Sequence, residues 1–439
     1  MQPLSHFRFD ALAGYSRSPQ LGLSARELRW FEEGGEKLLG VVSLDLIDRD
    51  YVYTVLGRDA HGRFRAFHLE INITTEEEAT ARLHAALAEL VVHPDVYFHQ
   101  GDETRPPMDF FTPVADLNKQ NPRFQELITS RGFTPALGLL REQMHYFEDV
   151  DGNFVQQFQS SGFDARLWEL YLYALFTELG YGFDRAHAAP DFHCQGLRGD
   201  FFVEATTVNP SATPPEVDDS SQEAYYDHYV PTKFGSALFS KQQKKYWELP
   251  HVVGAPLILA VQDFHAPQAM AWSNSALVEY LYGIRQVETK RADGTSEIVS
   301  QKIDKYEWRG REIPAGFFLQ PDSENVSAVL ANPGGTLSMF NRMGYLAGFG
   351  DRSIGMVRGG ICYRGKLIPE SFAAQVHEPG YSERWRDGVS VFHNPHARYP
   401  LPEYAIPDVA HHTARDGRIL ANMPEFFPVG SNTFIVVPS

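Results

Sequence analysis

The chain has 439 residues, of which 43% are hydrophobic, 22% charged and 13% aromatic. This length and hydrophobic content suffice for a large core and for two or three domains, which excludes a disordered tail. The 56 acidic and 39 basic residues give a net charge of -17. Such a charge argues against a protein that coats nucleic acid through a generally basic surface, although it leaves room for local basic patches.

Cys194 and Cys362 are the two cysteines of the chain. Two thiols build neither a disulfide framework nor a four-cysteine zinc site, which predicts a reducing, cytoplasmic location. The first 14 residues lack the basic and then apolar pattern of a signal peptide. No apolar run reaches the about 18 residues needed to cross a bilayer, so we expect neither secretion nor a membrane partner.

Residues 1–150 predict an accessory domain of the α+β class. Residues 37–47, 51–56 and 63–70 are rich in Val, Leu, Tyr and Phe and are separated by turn residues, which predicts an antiparallel meander. Residues 76–90 predict a helix, because apolar residues recur there at helical spacing behind three glutamates.

Residues 151–275 predict the core domain. Its predicted elements are, in chain order, a helix at 164–180, strands at 191–194 and 200–208, a helix at 233–247 and a strand at 256–261. Residues 210–229 are acidic and rich in Pro and Ser, which predicts a mobile loop. Residues 276–439 are rich in Pro, His and Asn beyond a charged hairpin around 292–297, which predicts a loop-rich accessory region.

Three acidic residues interrupt the apolar elements of the predicted core. Glu169 shares a helix face with Tyr173 and Phe176, whereas Glu178 projects to the opposite side and is expected to be solvated. Asp191 opens the first strand, and Glu204 lies within the second. A buried carboxylate is costly unless it is paired, protonated or bound to a metal.

The order of these elements and acids resembles the PD-(D/E)xK nuclease superfamily, also called restriction-endonuclease-like. Pro190 and Asp191 resemble the PD element, and residues 204–206 resemble the (D/E)xK element. The resemblance implies an α/β fold with a mixed central sheet flanked by helices. It also implies a divalent metal site, for Mg²⁺ or Mn²⁺, made by Glu169, Asp191 and Glu204.

The family's lysine, two residues after the second acid, is replaced by Thr206 in this chain. Members of the superfamily can carry this lysine on the following helix, which implies Lys241 as the catalytic lysine and Lys245 as the second candidate. Both continue the apolar face of the predicted helix, whereas Lys244 lies on another face.

The resemblance implies a Mg²⁺-dependent endonuclease, of the kind found in restriction or defence systems, that hydrolyses nucleic acid, DNA ahead of RNA. A second copy of the chain or a defence-system protein is an implied partner. Carboxylate-bound Mg²⁺ stabilises charge on phosphate oxygens and lowers the pKa of a bound water, and a nearby ammonium adds to this stabilisation. The alternative, favoured by Thr206, is a non-catalytic nuclease-fold protein that binds nucleic acid or a protein partner.

Each candidate residue also has an ordinary structural interpretation. Glu169 and Glu204 are also suited to ion pairs, Asp191 to a turn at a strand entry, and the lysines to a solvated helix face. Gly344, Gly348 and Gly350 lack the context of a phosphate-binding loop and are expected in helix packing or turns.

Overall fold

The computed structural model describes residues 1–91, 98–104, 106–215, 222–269, 272–291, 294–366 and 368–438. Within these residues the chain is a mixed α/β protein. An eight-stranded mixed sheet is accompanied by a five-stranded sheet, a three-stranded sheet and two separate hairpins.

The five-stranded sheet is antiparallel throughout and comes from the N-terminal region. Its strands are β1 (Gln2–Leu4), β2 (Ala25–Glu33), β3 (Leu38–Asp45), β4 (Tyr51–Arg58) and β5 (Phe64–Ile73). The helices of this region are α1 (His6–Ala13), α2 (Leu21–Ser24) and α3 (Glu76–Leu90). The predicted meander is therefore confirmed, and so is the helix, which the Thr75 side chain caps by accepting a bond from the N–H of Glu78.

Four helices lead from this region to the central sheet. They are α4 (Pro122–Thr129), α5 (Thr134–Met144), α6 (Phe154–Gln159) and α7 (Phe163–Glu178). Helix α7 is apolar on most of its circumference and is buried accordingly. The indole N–H of Trp168 donates to the carbonyl oxygen of Ala260 at 3.1 Å, which ties α7 to the sheet.

Four strands and three helices follow α7 along the chain. They are β6 (Gly182–Asp184), β7 (Phe192–Gln195), β8 (Phe201–Val208), α8 (Gln222–Ala224), α9 (Val230–Gln242), β9 (Leu257–Asp263) and α10 (Asn274–Tyr282). A π-helical segment, Tyr225–Tyr229, joins α8 to α9. The mobile loop predicted over 210–229 is therefore wrong from residue 222 onwards, and its residues 216–221 lie outside the described residues.

The C-terminal region contains strands where loops were expected. In chain order its elements are β10 (Ile284–Lys290), β11 (Ser296–Lys302), β12 (Lys305–Trp308), β13 (Arg311–Pro314), β14 (Ala328–Ala331), α11 (Leu337–Leu346), β15 (Gly355–Arg364), β16 (Glu370–Gln375), β17 (Ser390–His393), β18 (Ala410–Arg415), β19 (Arg418–Asn422) and β20 (Phe426–Val436). Strands β10 and β11 form the predicted hairpin, of which residues 292 and 293 lie outside the described residues.

The eight-stranded sheet has the order β19-β18-β17-β14-β9-β8-β7-β6. Strands β8, β9 and β14 run parallel, and β7 and β6 continue the sheet in antiparallel fashion. Four of its strands come from residues beyond 275, so the boundary predicted between 151–275 and 276–439 runs through one sheet. The expectation of a mixed central sheet flanked by helices is confirmed at this level of detail.

The two faces of β8 meet different layers. Phe201, Val203 and Ala205 belong to the large core that contains α7. Phe202 and Glu204 alternate with them and therefore face the opposite layer, which contains α9, as does Val208 on the same face of β8. The candidate carboxylate Glu204 thus points away from α7, a placement that decides which partners it can reach.

Candidate functional site

Glu204 is a buried acid with two hydrogen-bond donors on one oxygen. Glu204 is only 4% exposed to solvent. The Lys241 ammonium lies 2.5 Å from Oε1, and the Tyr246 hydroxyl donates to the same oxygen at 2.6 Å. Burying a carboxylate without such partners costs free energy, and these two hydrogen bonds offset that cost for Glu204 in the α9 layer.

Lys241 reaches the acid from the last turn of α9. Phe234 and Leu238 are buried on this helix, and Lys241 follows Leu238 at a spacing of three residues, which aims its side chain at β8. Burial works against the charged ammonium, but Glu204 and Asp191 outweigh it and raise the pKa of Lys241 above its usual value. The ammonium therefore stays charged at neutral pH.

The sequence predicted no contact between Tyr246 and the acids. The helix ends at Gln242, Lys245 adopts a left-handed conformation with φ of 48°, and a short 3-10 turn, Tyr246–Glu248, then returns the phenol to β8. Burial and the adjacent Glu204 raise the pKa of Tyr246, so the hydroxyl stays a donor. The available signal was the cluster of lysines and aromatic residues at 244–247, and it is weak.

Asp191 lies beside Glu204 at the end of a neighbouring strand. Phe192 on β7 pairs with Val203 on β8, so one further step along the register brings Asp191 level with Glu204. Asp191 Oδ2 accepts a bond of 2.7 Å from the backbone N–H of Ala205. Burial, then repulsion from Glu204 and Glu169, raise the pKa of Asp191 well above its usual value.

Each of these two carboxylates accepts hydrogen bonds on one of its two oxygens within the described part of the chain. Among the described residues no donor hydrogen-bonds to Oε2 of Glu204 or to Oδ1 of Asp191. A hard divalent cation is bound by carboxylate oxygens of this kind. The two acids therefore offer one carboxylate oxygen each to a divalent cation, whose charge would also relieve their mutual repulsion.

Glu169 does not join these two acids in the way the sequence predicted. It lies on α7, on the other face of the sheet, and both of its oxygens contact Arg166 Nη1 at 2.9 and 2.8 Å. Burial raises the pKa of Glu169, against the opposing effect of Arg166. Its ordinary interpretation, an ion pair within one helix, describes what the structure shows, although Glu169 is close enough to add to the repulsion on Asp191.

Lys245 does not point at the acids. Its Nζ lies 3.4 Å from Glu248 and 4.0 Å from Asp322, and its side chain is 46% exposed. The predicted helix face does not continue this far, because α9 ends at Gln242. Of the two lysines predicted from the sequence, the structure brings only Lys241 to the acids.

A second acidic group lies in the N-terminal region and was not predicted. Carboxylate oxygens of Asp59, Asp102 and Glu103 lie within 4.8 Å of one another, and among the described residues this is the one group of three potential ligands that close together. Arg63 contacts Asp59 at 2.7 Å, and Arg65 contacts Asp102 at 3.0 Å. These arginines already supply the positive charge that a cation would bring, so the group gives little reason to expect one.

The chain matches no protein-family model, no curated protein and no solved structure at a significant level. None of the described helices is both long and apolar enough to cross a lipid bilayer. A function is therefore inferred from the chemistry of Glu204, Asp191 and Lys241.

Proposed function

We propose that this chain is a metal-dependent nuclease with a divergent restriction-endonuclease-like core, acting on nucleic acid, DNA ahead of RNA. The observation that carries the proposal is the pairing of Glu204 with Lys241 beside Asp191, with one oxygen of each acid left without a donor among the described residues. A role in a restriction or defence system, with a second copy or a partner protein, enters the proposal through the family resemblance alone, and a cytoplasmic location enters it through the low cysteine content.

Asp191 and Glu204 would hold Mg²⁺ or Mn²⁺ in this proposal. The cation would supply Lewis-acid stabilisation of the phosphate oxygens and lower the pKa of a bound water. Asp191 must be deprotonated to bind it, which requires the cation to offset the repulsion from Glu204 and Glu169. Glu169 belongs to this set only if Arg166 releases it.

Lys241 acts in this proposal as a fixed positive charge. Because its pKa is raised, the ammonium is a poor general base and does not take a proton from water near neutral pH. It can instead stabilise negative charge that develops on the phosphate. Tyr246 is a positioning residue, since its hydroxyl holds the carboxylate of Glu204 in place.

A cleavage assay tests this proposal. End-labelled single-stranded and double-stranded DNA and RNA are incubated with the purified chain in Mg²⁺ or Mn²⁺, with and without EDTA. We expect EDTA-sensitive cleavage that Glu204→Gln and Asp191→Asn abolish and that Lys241→Ala reduces by roughly 100- to 1,000-fold. The matched control is Lys244→Ala, whose exposed side chain lies beyond the end of α9.

One observation favours the alternative, a non-catalytic protein that keeps the nuclease scaffold for binding. Two of the three acids are already paired, Glu204 with Lys241 and Glu169 with Arg166, so the protein does not depend on a cation to neutralise them. Under this alternative the wild-type protein cleaves none of the four substrates, with or without metal, while still binding nucleic acid or a protein.

A further inference from the structure

Four aromatic side chains form a row next to Asp191. The rings of His187 and His251 are stacked, with centroids 3.8 Å apart and planes within 6° of parallel. His193 and Phe202 are stacked in the same way, at 4.2 Å and 14°. Phe202 meets His251 edge-on at 5.9 Å, which joins the two pairs into one row.

This row lies on the face of the sheet that carries Glu204. Phe202 and Glu204 are two residues apart on β8 and therefore point the same way. His193 pairs with Phe202 across the strands. The row thus begins two residue pairs along the strands from the candidate catalytic acids Asp191 and Glu204, and His187 precedes Asp191 by four residues in the chain.

The row is held in place at its inner end and open at its outer end. Phe202 is buried in a small core with Tyr246, the residue that bonds to Glu204. His251 Nε2 hydrogen-bonds with the carbonyl oxygen of Ala189 at 2.8 Å, which fixes the chain just before Asp191. His187, at the outer end, is exposed, so the row ends in a supported ring that faces solvent.

We propose that His187 is a stacking platform for an unpaired base of the nucleic-acid substrate, so that the preferred substrate is single-stranded or locally unpaired. This inference rests on the proposed nuclease function. Bases stack on exposed rings without regard to sequence, but only when they are not already stacked within a duplex.

The charge of the molecule gives a second reason for such a platform. With a net charge of -17, the protein gains little general attraction to the phosphate backbone. Lys241 supplies positive charge only at the cleavage site. Stacking is an attraction that does not depend on net charge, and the supported ring of His187 offers it directly beside that site.

Binding of two 20-nucleotide probes tests this inference. One is fluorescein-labelled oligo(dT), and the other is an abasic strand with the same phosphates but no bases. Both are titrated in Mg²⁺, by fluorescence anisotropy, with proteins that all carry Glu204→Gln to prevent cleavage. We expect His187→Ala to weaken oligo(dT) binding by about 5-fold or more and His187→Tyr to preserve it. On the abasic strand, the His187→Ala protein and its parent should have equal affinities, since no base is present to stack.

The control variant is His377→Ala, an exposed histidine after strand β16 in the three-stranded sheet. Equal oligo(dT) affinities for His187→Ala and its parent, in a protein whose wild-type form cleaves DNA, would overturn the platform and leave the nuclease proposal standing. Equal losses on both probes would also overturn it, because His187 would then act on phosphates. A fluorescein-labelled duplex of 20 base pairs is titrated in the same way, and duplex binding as tight as oligo(dT) binding contradicts the platform too. Absence of both binding and cleavage for every nucleic acid would overturn both proposals.

Discussion

Asp191 is the residue whose ionisation most directly reports on the candidate site. Burial and the nearby acids raise its pKa in the folded state, so above about pH 4 the folded protein holds a proton that the unfolded chain has lost. This effect alone makes the unfolding free energy fall as pH rises from about 4 through the raised pKa. Asp191→Asn removes the ionisation and keeps an oxygen that can accept from the N–H of Ala205.

We therefore expect Asp191→Asn to flatten the pH dependence of stability in metal-free buffer and to raise the melting temperature at neutral pH. Scanning calorimetry in EDTA between pH 4 and pH 8 measures both effects. The control is Asp184→Asn, because the pKa of Asp184 is lowered by its bond from the Ala186 N–H rather than raised. If the pH dependence of stability were the same in Asp191→Asn as in wild type, the pKa of Asp191 would not be raised in the folded protein.

Tyr246 allows a second test on a single side chain. Its hydroxyl donates to the buried Glu204 carboxylate, and hydrogen bonds to charged groups contribute about 1.5–3 kcal/mol. Tyr246→Phe should lower the unfolding free energy by about this amount in urea titrations, and by less when Glu204→Gln is also present. Equal losses in the two backgrounds would show that the hydroxyl does not act through Glu204.

The sequence predicted some of these residues and not others for a physical reason. The direction of Lys241 could be predicted because it follows from the buried face of its own helix. Asp191 and Glu204 could be predicted because the alternation of side chains along a strand is a local property of the sequence. Glu178 was expected to be solvated, yet it accepts from the N–H groups of Trp385 and Arg386 and its burial raises its pKa to about 7. Those partners lie more than 200 residues away, beyond the reach of helical periodicity.

Among the secondary-structure elements, helices α5 and α11 pack so closely that a glycine is needed where they meet. A Cβ added to Gly344 on α11 would lie 2.2 Å from the carbonyl oxygen of Pro135 on α5. This agrees with the expectation that Gly344 serves helix packing. Because the obstructing atom belongs to the backbone, Gly344→Ala forces the two helices apart and should lower the unfolding free energy by about 1–3 kcal/mol or more.

Urea unfolding measures this loss, with Gly22→Ala on α2 as the matched control. A Cβ at Gly22 meets nothing within 4 Å, so that change should be neutral or slightly stabilising. Full stability of Gly344→Ala would contradict the close packing of α5 on α11.

Prediction of whole elements succeeded where a local pattern extended over many residues. Helix α3 has apolar residues at helical spacing, and strands β3, β4 and β5 are long runs rich in Val, Leu, Tyr and Phe between turn residues. The bounds of these elements agree with the sequence pattern to within a few residues. Strands β14 and β17 have four residues each, too few to establish an alternation. Their membership of the central sheet depends on long-range pairing, which no local pattern contains.

Across the molecule as a whole, a buried ion network joins the three-stranded sheet to the main core. Glu383 contacts Arg342 of α11 at 2.6 Å and Arg358 of β15 at 3.0 Å, and all three side chains are almost fully buried. Although burial opposes its charge, the two arginines lower the pKa of Glu383 to about 2.

Because this pKa is lowered, the stabilisation from Glu383 is present above about pH 4.5 and is lost as pH falls towards 2. Glu383→Gln should lower the unfolding free energy by about 3 kcal/mol at pH 7, since it leaves two buried arginines without a counter-charge. Its stability should then change less than that of wild type between pH 4.5 and pH 2.5. Urea titrations at these pH values measure both the loss at pH 7 and the acid sensitivity. The control is Glu370→Gln, which removes a half-exposed surface carboxylate and for which little change is expected. An equal acid sensitivity of the two proteins would contradict the lowered pKa.

Titration of Mn²⁺ into the metal-free protein shows whether Asp191 and Glu204 hold a divalent cation, on which the proposed chemistry depends. Isothermal titration calorimetry is run on wild type, Asp191→Asn, Glu204→Gln and the control Asp102→Asn, which alters the other acidic group. We expect wild type and Asp102→Asn to bind Mn²⁺ alike, and the other two variants to lose affinity by about 10-fold or more. Unchanged affinity in Asp191→Asn and Glu204→Gln, or no Mn²⁺ binding by wild type, would contradict a cation site at these two acids.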